Sequence, residues 1–155
     1  MNLLLDTCVL IDYLGRKEPF FADAERVVAA GFFGDAQLWA AGQSFKDAFY
    51  VLNRYIGSER IMDAFLRAFE VIKPVALAPD DFVQATRLRW DDYEDCLVAL
   101  AAQRANAACI VTRDLKGFER SMVPAISPSE LLATLEAEQG IVYDAIGLGP
   151  EAPIG

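Results

Sequence analysis

The sequence predicts an α/β fold built on a parallel sheet with helices on both faces. Short apolar runs alternate with amphipathic stretches along its 155 residues. Two of these runs, Leu3-Leu4-Leu5 and Cys109-Ile110-Val111, lie about a hundred residues apart and each gives way to polar residues. Apolar runs of this length, bounded by polar residues, fit strands buried on both faces, as parallel sheets require. Each run leads into a carboxylate, Asp6 after the first and Asp114 after the second. Ligands of open α/β sheets bind beyond the carboxyl ends of the strands, so these two residues stand where chemistry is expected.

The elements follow in order. Residues 2–5 form the first predicted strand, followed by a short helix with Val9, Leu10, Tyr13 and Leu14 as its apolar positions. After Arg16-Lys17-Glu18-Pro19 a helix extends to about Ala30, with Pro19 in its first turn. Residues 37–41 are the second strand. Ser44-Phe45-Lys46-Asp47 resembles a capping box opening a helix to about Ile56, with Phe49, Leu52 and Ile56 on one face. Gly57-Ser58 begins a helix to about Ile72, and residues 75–77 form a short strand. Pro79-Asp80-Asp81 then starts a helix to about Arg89, and residues 92–106 form the next. Residues 109–112 and 125–126 are the last strands, and Ser127-Pro128 introduces a helix to about Glu138. Residues 1–138 make one domain. Residues 139–155, with four glycines and two prolines, form a C-terminal tail.

Composition narrows the chemistry. A hydrophobic content of 54% supports a single packed core, and no apolar run approaches the ~20 residues that span a bilayer. The N-terminus carries no secretory pattern. Cys8, Cys96 and Cys109 are odd in number and scattered among apolar residues, which suits free thiols in a reducing cytoplasm. The chain contains no histidine, which removes histidine-dependent hydrolases, histidine general-base nucleases and His-based zinc sites. Carboxylates, hydroxyls and 14 Lys and Arg remain, and carboxylate-only sites suit Mg²⁺ or Mn²⁺. Acidic residues number 23, for a net charge of −9. That balance opposes extensive non-specific nucleic-acid binding, yet allows a grip on a short single strand through metal and a local basic rim.

Five carboxylates are candidates, and each also has a plain structural reading. Asp6 could cap the helix that follows it. Asp47 falls in a first helical turn, as do Asp92 and Asp95, where acidic groups oppose the helix dipole. Asp114 could stabilise a turn after its strand. All five nevertheless lie at the carboxyl end of a strand or the amino end of a helix. In a parallel sheet those ends share one edge, and carboxylates converging there repel one another unless a cation joins them. Paired ions of this kind activate water in phosphodiester cleavage.

The motifs resemble those of PIN-domain ribonucleases, especially the branch containing VapC-type toxins. The matching pieces are Leu5-Asp6-Thr7 with Val9-Leu10-Ile11-Asp12, then Arg16-Lys17-Glu18-Pro19-Phe20 and Asp47-Ala48-Phe49-Tyr50-Val51-Leu52. Asp92-Tyr93-Glu94-Asp95-Cys96-Leu97 and Ile110-Val111-Thr112-Arg113-Asp114 with Gly117-Phe118 complete the set, in family order over residues 2–118. The resemblance implies a three-layer α/β/α sandwich with strand order 3-2-1-4-5, in which neighbouring strands 1 and 4 bring Asp6 and Asp114 together. It implies Asp6, Asp47, Asp95 and Asp114 as catalytic and metal-binding residues, with Asp92 an accompanying acid. Asp47 falls where the family carries glutamate. Its shorter side chain would reach the metal through a bridging water or a closer helix. Thr7 and Thr112 match hydroxyls that orient the acids.

The reaction so implied is Mg²⁺- or Mn²⁺-dependent endoribonucleolytic hydrolysis of RNA by a cytoplasmic toxin with a small antitoxin partner, commonly as a homodimer. Arg16, Lys17, Lys46, Arg113 and Lys116 lie near the motifs and could form a substrate rim or simply be solvated. Trp39 lies in a strand pattern and belongs to the core, whereas Trp90 could stack a base. The alternative is a non-catalytic PIN-like domain binding RNA or protein. A phospho-accepting receiver domain fits poorly, since Thr7-Cys8 follows Asp6 and Lys73-Pro74 falls mid-chain.

Overall fold

In a computed structural model describing residues 1–144 and Gly147, five strands form one sheet, parallel throughout. They are β1 (Asn2–Leu5), β2 (Gln37–Ala41), β3 (Ile72–Val75), β4 (Cys109–Val111) and β5 (Ala125–Ile126), in the order β3-β2-β1-β4-β5. This is the order the resemblance implied. Central β1 pairs Leu4 with Trp39 on one side and with Ile110 on the other. Leu3, Leu4 and Leu5 are all 0% exposed, which explains an unbroken apolar run in place of alternation. Burying each such side chain contributes roughly 1.5–3 kcal/mol.

Successive side chains of β1 serve opposite layers. Leu3 and Leu5 join a core shared with α1 (Thr7–Leu14), α2 (Phe21–Phe32), α3 (Gly42–Leu52), α4 (Ser58–Phe69) and α7 (Pro128–Gln139). Leu4 joins a second core with Val98 and Ala101 of α6 (Tyr93–Arg104). Outside α6 lies α5 (Pro79–Leu88), where Ala85 packs against Cys96, Leu97 and Leu100. Asp81 of α5 accepts from Arg104 of α6, an ion pair joining the two helices. The result is a three-layer α/β/α sandwich.

Local signals fail at three places. Helix α2 begins at Phe21, so Pro19 lies upstream of its first turn. Helix α3 begins at Gly42 rather than at Ser44 and ends at Leu52 rather than near Ile56. Ser44 makes no cap because its hydroxyl turns inward to Thr7, 2.7 Å away. Strand β3 lies at 72–75 rather than 75–77, because Ile72 is the residue that buries against Leu38. Pro74 is tolerated there since β3 is an edge strand, with one side of its backbone unpaired.

Ser127 caps α7 by accepting from Glu130 N–H, with Pro128 at the first helical position. Helix α7 ends at Gly140, whose φ of 66° is the left-handed conformation glycine adopts freely. The first part of the expected tail returns to the body. Ile141 packs on the larger core, and Tyr143 Oη donates to Asp35 Oδ2 at 2.6 Å. Residues 145–146 and 148–155 of that tail lie outside the described residues.

Candidate metal centre

The carboxyl ends of β1 and β4 build one wall of the candidate site. Asp6 N–H continues the ladder to Val111 C=O at 3.0 Å, so the chain is still in sheet register when its carboxylate emerges. Asp6 as a whole is 4% exposed. Oδ1 accepts from Thr7 N–H at 2.7 Å, while Oδ2 accepts from Thr112 Oγ1 at 2.7 Å and Cys8 Sγ at 3.3 Å. Thr112 Oγ1 also accepts from Asp114 N–H at 2.9 Å, which sets the turn that carries Asp114.

The amino end of α6 supplies the opposite wall. Asp92 is the N-cap and accepts from Asp95 N–H at 3.1 Å. Glu94 and Asp95 occupy the first turn, where free N–H groups favour negative charge. Glu94 Oε1 accepts from Thr7 Oγ1 at 2.6 Å, and Thr7 Oγ1 lies 2.7 Å from Ser44 Oγ. One ligand oxygen each from Asp6, Glu94 and Asp95 lies within 4.8 Å of the others.

Asp114 and Gly117 close the arrangement. Gly117 N–H donates to Asp114 Oδ1 at 3.0 Å, at the 3₁₀ turn Lys116–Phe118. A methyl group at Gly117 would lie 2.7 Å from both Asp114 Oδ2 and Asp95 Oδ2. The two carboxylates therefore flank the space left by the missing side chain.

Crowding of like charge is visible in the acidities. Burial, then the charges of Asp92, Asp6, Glu94 and Asp114, push Asp95 up to about 7. Burial raises Asp6 despite the hydrogen bonds from Thr112, Cys8 and Thr7. Burial is also the main cause for Glu94, reinforced by Asp6, Asp92 and Asp47 and opposed by Thr7. Such a group accumulates uncompensated charge at neutral pH unless protons or a cation intervene. The donors are hard carboxylate oxygens with no histidine or thiolate among the three, a set matched to Mg²⁺ or Mn²⁺.

The remaining expected residues are placed unevenly. Asp47 lies outside the three-carboxylate group, and its Oδ1 is 3.4 Å from Lys46 Nζ. Asp92 serves as the helix cap. Arg113 is paired: its Nε and Nη2 donate to Asp12 at 2.6 and 3.2 Å, and the guanidinium lies 3.9 Å from the Phe20 ring centre. Arg16 lies over Phe21 at 4.4 Å. Lys116 lines a cleft of about 370 Å³ together with Trp90, Asp92, Asp95, Asp114 and Arg120. Trp39 packs against the core beneath α6.

Sequence reasoning passed over Glu94, Ser44 and Gly117. Glu94 was visible beside Asp95 in the same helical turn, but nothing local says which acids of that turn point inward. Among the described residues no helix is long and apolar enough to cross a membrane.

No curated protein matches the sequence. The fold is similar to a chain of the VapBC-1 structure from nontypeable Haemophilus influenzae, with a TM-score of 0.62 at 19% identity, over 83% of this chain and 99% of that one. At that identity the likeness is one of fold. A family model described as PIN domain matches residues 2–116, a span that contains every carboxylate of the site. The chain belongs to the PIN-domain family.

Proposed function

We propose that this protein is a Mg²⁺- or Mn²⁺-dependent endoribonuclease, the VapC-type toxin of a toxin–antitoxin pair. The observation that carries the reading is the convergence of Asp6, Glu94 and Asp95 within 4.8 Å, with Asp114 across the space left by Gly117. Asp6, Asp95 and Asp114 would hold the metal, which when bound supplies an activated water and neutralises the leaving oxygen. Thr112 orients Asp6 and the Asp114 turn through its two hydrogen bonds. Lys116 and Arg120 are cations lining the cleft; Lys116 would meet a substrate phosphate, while Arg120 already lies over the Trp90 ring at 5.7 Å. The remaining charge of the cleft is mostly negative, which suits a short strand gripped through metal rather than an extended basic track.

An antitoxin or second-copy partner is supported by exposed apolar side chains in one region. Tyr55 is 81%, Met62 55% and Leu66 68% exposed, in and just before α4. Met62 and Leu66, four residues apart, share one face of α4, and apolar side chains gathered on one face mark an interaction site better than scattered ones do.

Purified protein is expected to cleave a broad single-stranded RNA pool with Mn²⁺, to stop on chelation, and to lose cleavage in Asp6→Asn and Asp95→Asn. Expression of the wild type, but not Asp6→Asn, is expected to arrest growth, with relief by the product of a small neighbouring reading frame. Absence of RNA cleavage with Mn²⁺ favours the non-catalytic binding domain instead.

A further inference from the structure

We propose that Glu94, rather than Asp47, supplies the fourth carboxylate of the metal centre, an assignment that rests on the metal-dependent reading above. Asp47 stands one methylene short of the glutamate its position carries in the resembling family. Its Oδ1 lies 3.4 Å from Lys46 Nζ, and, like Asp114, it is not one of the three carboxylates Asp6, Glu94 and Asp95 whose oxygens lie within 4.8 Å of one another. Glu94 reaches that group from the opposite layer of the sandwich, one residue before Asp95.

The hydroxyls around Glu94 are arranged to keep it there. Thr7 has a single hydroxyl proton and donates it to Glu94 Oε1 at 2.6 Å. The remaining contact, between Thr7 Oγ1 and Ser44 Oγ at 2.7 Å, then requires Ser44 to donate to Thr7. Ser44 is 0% exposed and lies one helical turn before Asp47. Helix α3 thus contributes to the centre through a buried hydroxyl, while the carboxylate comes from α6. Two oxygens are available on Glu94, and the Thr7 bond occupies only one.

Equilibrium Mn²⁺ binding by electron paramagnetic resonance, with thermal melting in chelator and in Mn²⁺, separates the alternatives. Glu94→Gln keeps the shape and removes the charge; Glu94→Asp keeps the charge and removes the reach. Both are expected to weaken Mn²⁺ binding about tenfold or more, whereas Asp47→Asn changes it less than about twofold. Metal-free Glu94→Gln is also expected to melt higher than the wild type, through relief of repulsion, and to gain less from Mn²⁺. Wild-type affinity in both Glu94 variants overturns the assignment, as does weakening by Asp47→Asn as large as that of Asp6→Asn. Absence of Mn²⁺ binding by the wild type overturns the metal-dependent reading itself, and the assignment with it.

Discussion

Thr112 joins the two strand-end aspartates through one hydroxyl, which donates to Asp6 Oδ2 at 2.7 Å and accepts from Asp114 N–H at 2.9 Å. Thr112 is 0% exposed, so neither bond has water as a ready substitute. Thr112→Val keeps the shape and strips both bonds. It is expected to cost about 1–3 kcal/mol by denaturant unfolding, and to weaken Mn²⁺ binding. Thr112→Ser, which retains the hydroxyl, is expected to recover most of the Mn²⁺ affinity.

Gly117 provides a steric test of the same site. Its added methyl would meet Asp95 and Asp114 at 2.7 Å, closer than real Cβ contacts come. Gly117→Ala is expected to abolish Mn²⁺ binding and RNA cleavage while leaving the far-ultraviolet circular dichroism unchanged. Phe118 of the same turn stays anchored in the second core, so the change is confined to the carboxylates that the added methyl meets. Retained cleavage would show that Asp95 and Asp114 do not act together.

The acidities give a signed pH dependence. Asp95, at about 7, keeps its proton in the folded protein where the unfolded chain, with aspartate near its ordinary ~4, has lost it. Asp6 and Glu94 are raised as well and act in the same direction. The folded state binds more protons over this window, so metal-free stability is expected to fall as pH rises from about 4 to 7, then to level. Asp81, lowered by its hydrogen bonds and the Arg104 charge, opposes the trend only near and below its ordinary value. Mn²⁺ affinity is expected to rise across the same window, because binding displaces protons. Melting temperature against pH, with chelator and with Mn²⁺, checks both slopes.

Arg113 distinguishes a structural cation from a substrate cation. Its partner Asp12 is 1% exposed, so removing the guanidinium leaves a buried carboxylate unpaired. Arg113→Ala is expected to destabilise the protein by about 3 kcal/mol in urea unfolding. Lys116→Ala should leave stability unchanged and weaken RNA binding, with a smaller salt dependence. An Arg113→Ala protein as stable as the wild type would overturn the structural role of the Arg113–Asp12 pair.

Much of the fold was legible because its signals are local. The run Leu3-Leu4-Leu5 marks a strand buried on both faces, and Ser127-Pro128 with Glu130 marks a helix start within one residue. Ser44 misled for an equally physical reason. The same serine that caps a helix in isolation also satisfies a buried hydroxyl elsewhere, and here Thr7, 37 residues away, claims it. Strand β3 slipped because register on an edge strand follows the burial of Ile72 against Leu38, a partner its own neighbours do not reveal.

The candidate site divides along the same line. Residue order alone places Asp6, Asp95 and Asp114 at strand and helix ends, since alternation of apolar runs and amphipathic helices dictates which ends share an edge. The inward course of Glu94, the turning of Arg113 to Asp12 and the gap at Gly117 depend on folded contacts. Thr7 meets Glu94 across 87 residues, and Arg113 meets Asp12 across 101. Periodicity carries no information about distances between such residues. That Glu94, and not Asp47, joins Asp6 and Asp95 in the three-carboxylate group is likewise decided by packing and not by sequence position.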